Sequence, residues 1–338
     1  MAEITWLLIA VVAIALIFDY VNGMHDAANA IATAISTRAI SPRNAVLMAG
    51  VLNFVGAFIS EGVAKTMGSG LVAPEMVQDQ HVILAALIGA LAWNLITWWL
   101  GLPSSSSHAM VGGLVGAGMY SAGTKGVLWD GVTKKVIIPG LVSPLLGFAG
   151  GFMVMLAFLW IFRRSVPSKI NRMFRKAQVF SCGYLALTHG MNDAQKAMGI
   201  ITLALMTAGF QDPAEFHVPF WVKFSCASMI ALGTSAGGWR IIKTLGGKMV
   251  KLQPINGFAA EITSSCILSS TALLGMPVST THVISSSIMG VGATKRLSAV
   301  RWGVAGNILI AWVFTLPASA LMGAFSLVVI RGIESLFT

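Results

Sequence analysis

The chain alternates long apolar runs with short polar breaks. Residues 4–18 carry no charge, and comparable runs recur to the C-terminus. About twenty apolar residues cross a bilayer as a helix, so the pattern predicts membrane-spanning helices joined by short loops. Residues 136–162 read as one span. Residues 81–101 and 104–120 are two apolar arms broken at Pro103. Nothing basic precedes the first run and no small-residue cleavage pattern ends it, which argues against a signal peptide. No polar stretch is long enough for a separate extramembrane domain.

The pattern is written twice. GMHDA at 23–27 returns as GMNDA at 190–194. KTMGSG at 65–70 returns as KTLGGK at 243–248, and GLPSSSSH at 101–108 as GMPVSTTH at 275–282. Gly116 and Gly118 match Gly290 and Gly292. The shared order predicts repeat one over 4–162 and repeat two over 179–332. The stretch between them, RRSVPSKINRMFRKAQ at 163–178, has six Lys or Arg and no acid. It reads as a basic inter-repeat loop in the cytoplasm, because Lys and Arg favour that side.

Charge then decides between two topologies. If 81–101 and 104–120 both cross fully, the loop with Arg38 and Arg43 lies outside. If they form a re-entrant hairpin with its tip near 103–108, that loop lies inside and 66–80, with Glu75 and Asp79, lies outside. The second repeat makes the same choice through a hairpin with its tip near 277–282. Both termini then lie outside, repeat one starts outside and repeat two starts inside. The expectation is an all-α polytopic protein of the cytoplasmic membrane, with two inverted-topology repeats that each carry a re-entrant helical hairpin.

Composition agrees. The 338 residues are 56% hydrophobic and 10% charged, against about 25% charged in soluble domains. The net charge of +10 lies in short loops between apolar runs, which excludes a nucleic-acid reading. Cys182, Cys226 and Cys266 sit in apolar segments and read as packing residues.

Backbone that leaves helical geometry inside a membrane must be buried in protein or line a cavity. Pro103 and Pro277 each end one half-helix. Ser104, Ser105, Ser106 and Ser107, and Ser279, Thr280 and Thr281, then offer hydroxyls and can cap the next half-helix. Two helix N-termini meeting at the midplane suit a small oxyanion such as phosphate. Gly112, Gly113, Gly116 and Gly290 allow close packing behind the tips. The plainer alternative is that the hydroxyls satisfy neighbouring helix carbonyls.

The repeated acids carry the other half of the chemistry. Asn22, Asp26 and Asn29 share one helix face, and His189, Asp193 and Lys196 take the equivalent places, with Asn192 and Gln195 beside them. A carboxylate at a helix centre costs about 3 kcal/mol or more, and a bound Na⁺ or a proton offsets it. A structural ion pair of Asp193 with Lys196 is the alternative, whereas Asp26 has no evident base nearby. Glu261 reads either as a third coupling carboxylate or as an interfacial residue, and Asp19 is similarly open. Glu61 reads as interfacial. His25, His108, His189 and His282 adjoin the motifs, but no pair has familiar metal-ligand spacing. No nucleophile elbow is present, so an enzyme is not expected.

NGMHDAANAIATAISTR, HGMNDAQKAMGI, PSSSSHA and EITSSCILSSTALLGMPVSTTH together resemble the inorganic phosphate transporter (PiT or Pho4) family, in its shorter bacterial form. The resemblance covers nearly the whole chain. It implies an inverted-repeat secondary transporter, often a homodimer, that moves phosphate with Na⁺ or H⁺ and needs no other cofactor. It places Asp26 and Asp193 on the signature aspartates, Glu261 on a functional glutamate and the Ser/Thr clusters on the phosphate-binding tips. The chain departs from the sodium-coupled pattern at His25, at Asn53, where many members carry Glu, and at Lys196 opposite Asn29. Those departures keep proton coupling open, with phosphate carried alone or as a metal–phosphate complex. A sulfate permease, a passive anion channel and a divalent-metal transporter are the competing readings.

Overall fold

The computed structural model describes residues 4–72, 79–212 and 215–336; Glu75 lies outside them. Among the described residues every regular element is helical, and the sole β contact is a bridge between Val72 and Val127. The elements fall into two series. The first is α1 (Trp6–Ser36), α2 (Pro42–Gly56), α3 (Gly62–Ser69), α4 (Gln80–Leu100), α5 (Ser106–Ala122) and α6 (Trp129–Ile161), which contains a π turn at Val132–Ile137. The second is α7 (Pro167–Thr207), α8 (Phe220–Ala236), α9 (Trp239–Lys243), α10 (Pro254–Leu273), α11 (Thr280–Ala293) and α12 (Trp302–Glu334). α1, α4, α6 and α12 are long and apolar enough to cross a membrane.

The stretch 163–178 corrects one expectation. The loop is confined to the turn before Pro167, and 167–178 form the opening turns of α7. Pro167 sits at the first helical position, where its missing N–H costs nothing. Lys, Arg, Met, Ala and Gln then favour helix, while Phe174 and Gln178 are buried and anchor the segment to the body. Residues 66–69, expected in a loop, complete α3.

Both predicted breaks are present. α4 ends in Gly101 at φ 67°, and α10 is followed by Gly275 at φ 64°. That left-handed conformation suits glycine, and it turns the chain just before Pro103 and Pro277. The tips are short. Ser106, Ser107, Thr280 and Thr281 already belong to the first turns of α5 and α11. Ser105 and Ser279 are the N-caps, accepting from the His108 and His282 amides at 3.1 and 3.2 Å.

The two series are interlocked rather than side by side. α5 packs most extensively on α12, and α11 on α6, so each hairpin is covered by the last helix of the other series. α1 packs on α8, and α7 on α2. Two glycines show how close the approach is. A Cβ at Gly116 would stand 1.9 Å from the Ala320 carbonyl oxygen, and one at Gly290 2.0 Å from that of Phe148. Outward faces of α6 and α12 leave Leu141, Leu145, Val313, Leu321 and Phe325 exposed, as a lipid-facing surface requires. Cys182 and Cys226 are buried and Cys266 is exposed; all three are free thiols.

Gly116→Val and Gly290→Val are expected to destabilise the fold by more than about 3 kcal/mol, since overpacking of side chains typically costs 1–3 and here backbone meets backbone. Gly118→Ala is expected to be tolerated, because its Cβ would meet nothing nearer than 3.7 Å. Thermal melting with size-exclusion chromatography in detergent checks both. A Gly116→Val protein that melts like the parent would refute the packing account.

Candidate functional site

α1 carries a polar stripe through an otherwise apolar helix: Asp19, Asn22, Asp26, Asn29 and Thr33, all buried. Their spacing of three and four residues puts them on one face. The stripe meets both hairpin tips at its middle.

Asp26 is the hub. Its Oδ1 lies 2.9 Å from His25 Nδ1 and accepts from Thr281 Oγ1 at 3.3 Å. Its Oδ2 accepts from Ser106 Oγ at 2.7 Å. One hydroxyl comes from each hairpin. Asn29 Nδ2 donates to Thr281 and Thr280 at 2.8 and 3.3 Å. Hydrogen bonds to charged groups contribute about 1.5–3 kcal/mol each, so three of them offset the insertion cost of about 3 kcal/mol. Asp26 therefore does have a base beside it, contrary to the sequence reading. His25 precedes it in the chain, and Lys196 Nζ donates to the same Ser106 hydroxyl at 2.8 Å.

Lys196 ties the second signature to the first. Its Nζ is 3.0 Å from Asp193 Oδ2, and His189 Nε2 is 3.3 Å from the same oxygen. Asp26, His189 and Asp193 each bring one ligand atom to within 4.8 Å of the others. That grouping spans two helices, which is why no local spacing announced it. His189 Nδ1 also lies 3.2 Å from Asn53 Oδ1, and Asn53 Nδ2 donates to Thr234 at 2.8 Å.

The tips are locked to each other. Ser107 donates to the Val278 carbonyl at 3.1 Å. The rings of His108 and His282 meet edge to face with centroids 4.9 Å apart, and His282 stacks on Trp312 at 3.9 Å. Trp312 Nε1 donates to the Pro103 carbonyl at 3.2 Å. Ser104 donates to Thr97 at 2.8 Å, and Thr97 lies 3.3 Å from His25 Nε2.

Other candidates lie outside this cluster. Glu261 is fully buried, which excludes the interfacial reading. It accepts from Thr33 at 2.6 Å, Gln178 at 2.9 Å and Ser181. Asn192 turns its amide to the Thr188 and Leu268 carbonyls, and Gln195 caps α3 through the amides of Val63 and Ala64. Neither side-chain amide atom of Asn22 has a hydrogen-bond partner. Glu61 is partly exposed and pairs with Lys223. Sequence reasoning passed over Thr33, Thr97, Gln178, Ser181 and Thr234. Their one signal was polarity inside apolar runs, which Ser and Thr share with ordinary membrane helices.

The comparisons with known proteins converge on one family. The family model PHO4, described as the phosphate transporter family, matches residues 22–323. A Bacillus subtilis protein named "Probable low-affinity inorganic phosphate transporter" is 49% identical, the match covering 95% of this chain and 96% of that one. A Rhizobium meliloti protein of the same name is also 49% identical, over 94% and 95% of the two chains. Among solved structures, "The sodium-dependent phosphate transporter" superposes with a TM-score of 0.85 at 26% identity, covering 97% of this chain and 100% of that one. This chain is a transporter rather than an enzyme, and it belongs to the phosphate transporter family.

Proposed function

We propose that the chain imports inorganic phosphate across the cytoplasmic membrane by symport with a cation, H⁺ or Na⁺. The observation that carries this reading is the Ser106 hydroxyl, which links Asp26 to Lys196 where both hairpins converge. The donors that would hold phosphate are here spent on a carboxylate. A cation or proton on Asp26 cancels its charge and frees Ser106 and Thr281 to donate to an oxyanion. Phosphate and cation thus favour each other's binding, which is the thermodynamic content of symport. Lys196 and the N-terminal amides of α5 and α11 supply fixed positive potential at the same place.

Lys196 takes in the second series the place Asn29 takes in the first. An ammonium there stands in for one mobile cation. A carboxylate in the site also favours phosphate over sulfate. Protonated phosphate can donate to it, whereas sulfate at neutral pH cannot. Inverted repeats over 4–162 and 179–332, with 163–178 cytoplasmic and both termini outside, would give alternating access by rocking one bundle against the other.

Labelled phosphate uptake into proteoliposomes tests the proposal, with a Na⁺ gradient and a pH gradient imposed separately and sulfate as competitor. Uptake driven by one gradient and persisting in excess sulfate is expected. Current without a coupling gradient, or divalent-metal uptake without phosphate, would replace it with a channel or a metal transporter. Asp26→Asn is expected to abolish gradient-driven uptake in a protein that still folds. Ser106→Ala and Lys196→Met are each expected to raise the phosphate KM tenfold or more, equivalent to at least about 1.4 kcal/mol. Initial rates against phosphate concentration check this, and an unchanged KM in both would remove the tip from the site.

A further inference from the structure

The outer end of the α1 stripe is left over by the mechanism above. Asp19 has no exposed surface, and neither carboxylate oxygen has a hydrogen-bond partner. One turn on, Asn22 is equally buried with both amide atoms unpartnered. Asn94 on α4 is a third such side chain. It lies one turn before Thr97, the residue through which α4 meets His25. Three buried and unsatisfied polar side chains on two helices that pack against each other depart sharply from the rule that buried polar atoms are paired. The one side-chain donor acting on Asp19 is the weak Cys226 thiol of α8; from α7, Lys196 and Asp193 act on it through charge alone. Lys196 is already engaged by Asp193 and Ser106.

Spacing adds a second observation. Asp19, Asp26 and Thr33 follow one another at intervals of seven residues, about 10 Å along a helix. Thr33 donates to Glu261. α1 therefore aligns three buried carboxylates: Asp19 toward its N-terminal end, Asp26 in the centre and Glu261 beyond. Asp26 and Glu261 are each held by hydroxyl or amide donors. Asp19 alone is without such donors, and the unpartnered carboxamide one turn on, Asn22, offers an oxygen that suits a hard monovalent cation or a carboxyl proton.

We propose that Asp19 and Asn22, with Asn94 on the neighbouring α4 as a further candidate ligand, form a second small-cation site on α1, one station outward from Asp26. It receives the positive charge that the carboxylate lacks from the protein. The outward placement rests on the topology of the proposed symport; the site itself does not.

Equilibrium binding of radioactive Na⁺ to the purified protein in detergent, without phosphate, reads the site independently of transport. Proton uptake on acidification is measured in parallel. Asp19→Asn is expected to remove one bound cation per chain in one arm, and the arm that changes names the ion. Asp19→Glu is expected to restore it. Asn22→Ala is expected to weaken that same cation's binding at least tenfold while leaving one cation at Asp26. In proteoliposomes, Asp19→Asn is expected to retain phosphate exchange but lose steepness in cation activation. Unchanged Na⁺ stoichiometry and unchanged proton uptake in folded Asp19→Asn would overturn the proposal and leave Asp19 a permanently neutral packing residue. Should Asp19→Asn not fold, unchanged binding in both arms by Asn22→Ala would overturn it equally. Absence of phosphate uptake in the parent protein would instead defeat the symport reading.

Discussion

A carboxylate buried in a membrane protein must be neutralised, and the centre of this structure is arranged around that demand at Asp26. Asp26 is buried there, and its charge is met by protein donors: a histidine from its own helix and one hydroxyl from each hairpin. Those contacts fix where the two tips lie relative to α1. They also make the site responsive, because whatever neutralises Asp26 releases the hydroxyls. In the proposed symport, binding of a cation and binding of an anion would thereby be coupled through shared donors rather than through a distant rearrangement.

The interlocked packing gives the proposed coupling its mechanical frame. Each hairpin rests on the last helix of the other series, and the tips are fastened by Ser107 to the Val278 carbonyl and by the stacked His108, His282 and Trp312. Without a hydrophobic driving force between helices in lipid, close backbone approach supplies the adhesion. Gly116 against Ala320 and Gly290 against Phe148 are such approaches. Flat glycine surfaces can slide, whereas the polar centre has discrete partners. Motion would be expected at the first and switching at the second.

Lys196 illustrates how one substitution between equivalent positions breaks the symmetry of the site. Its counterpart Asn29 donates to both threonines of the second hairpin. Lys196 instead bridges Asp193 and the first hairpin's Ser106. The two signatures are alike in sequence but differ in charge, so they need not bind the same ion.

Most of the architecture was legible in the residues. Apolar run length predicted the spanning helices, and the paired motifs predicted two series with a break after each of Gly101 and Gly275. These are local or periodic properties, which a linear pattern records. The basic stretch 163–178 was misjudged as a loop because charge reports the side of the membrane, not the backbone conformation. What only the tertiary structure decided was partnership. His25, Lys196 and the tip hydroxyls converge on Asp26 from four helices. Thr33, Gln178 and Ser181 enclose Glu261, while Asp19 and Asn22 are left without partners. Such contacts join residues separated by up to 255 positions, and hydrogen bonding depends on distance and angle in space, which spacing along the chain does not encode.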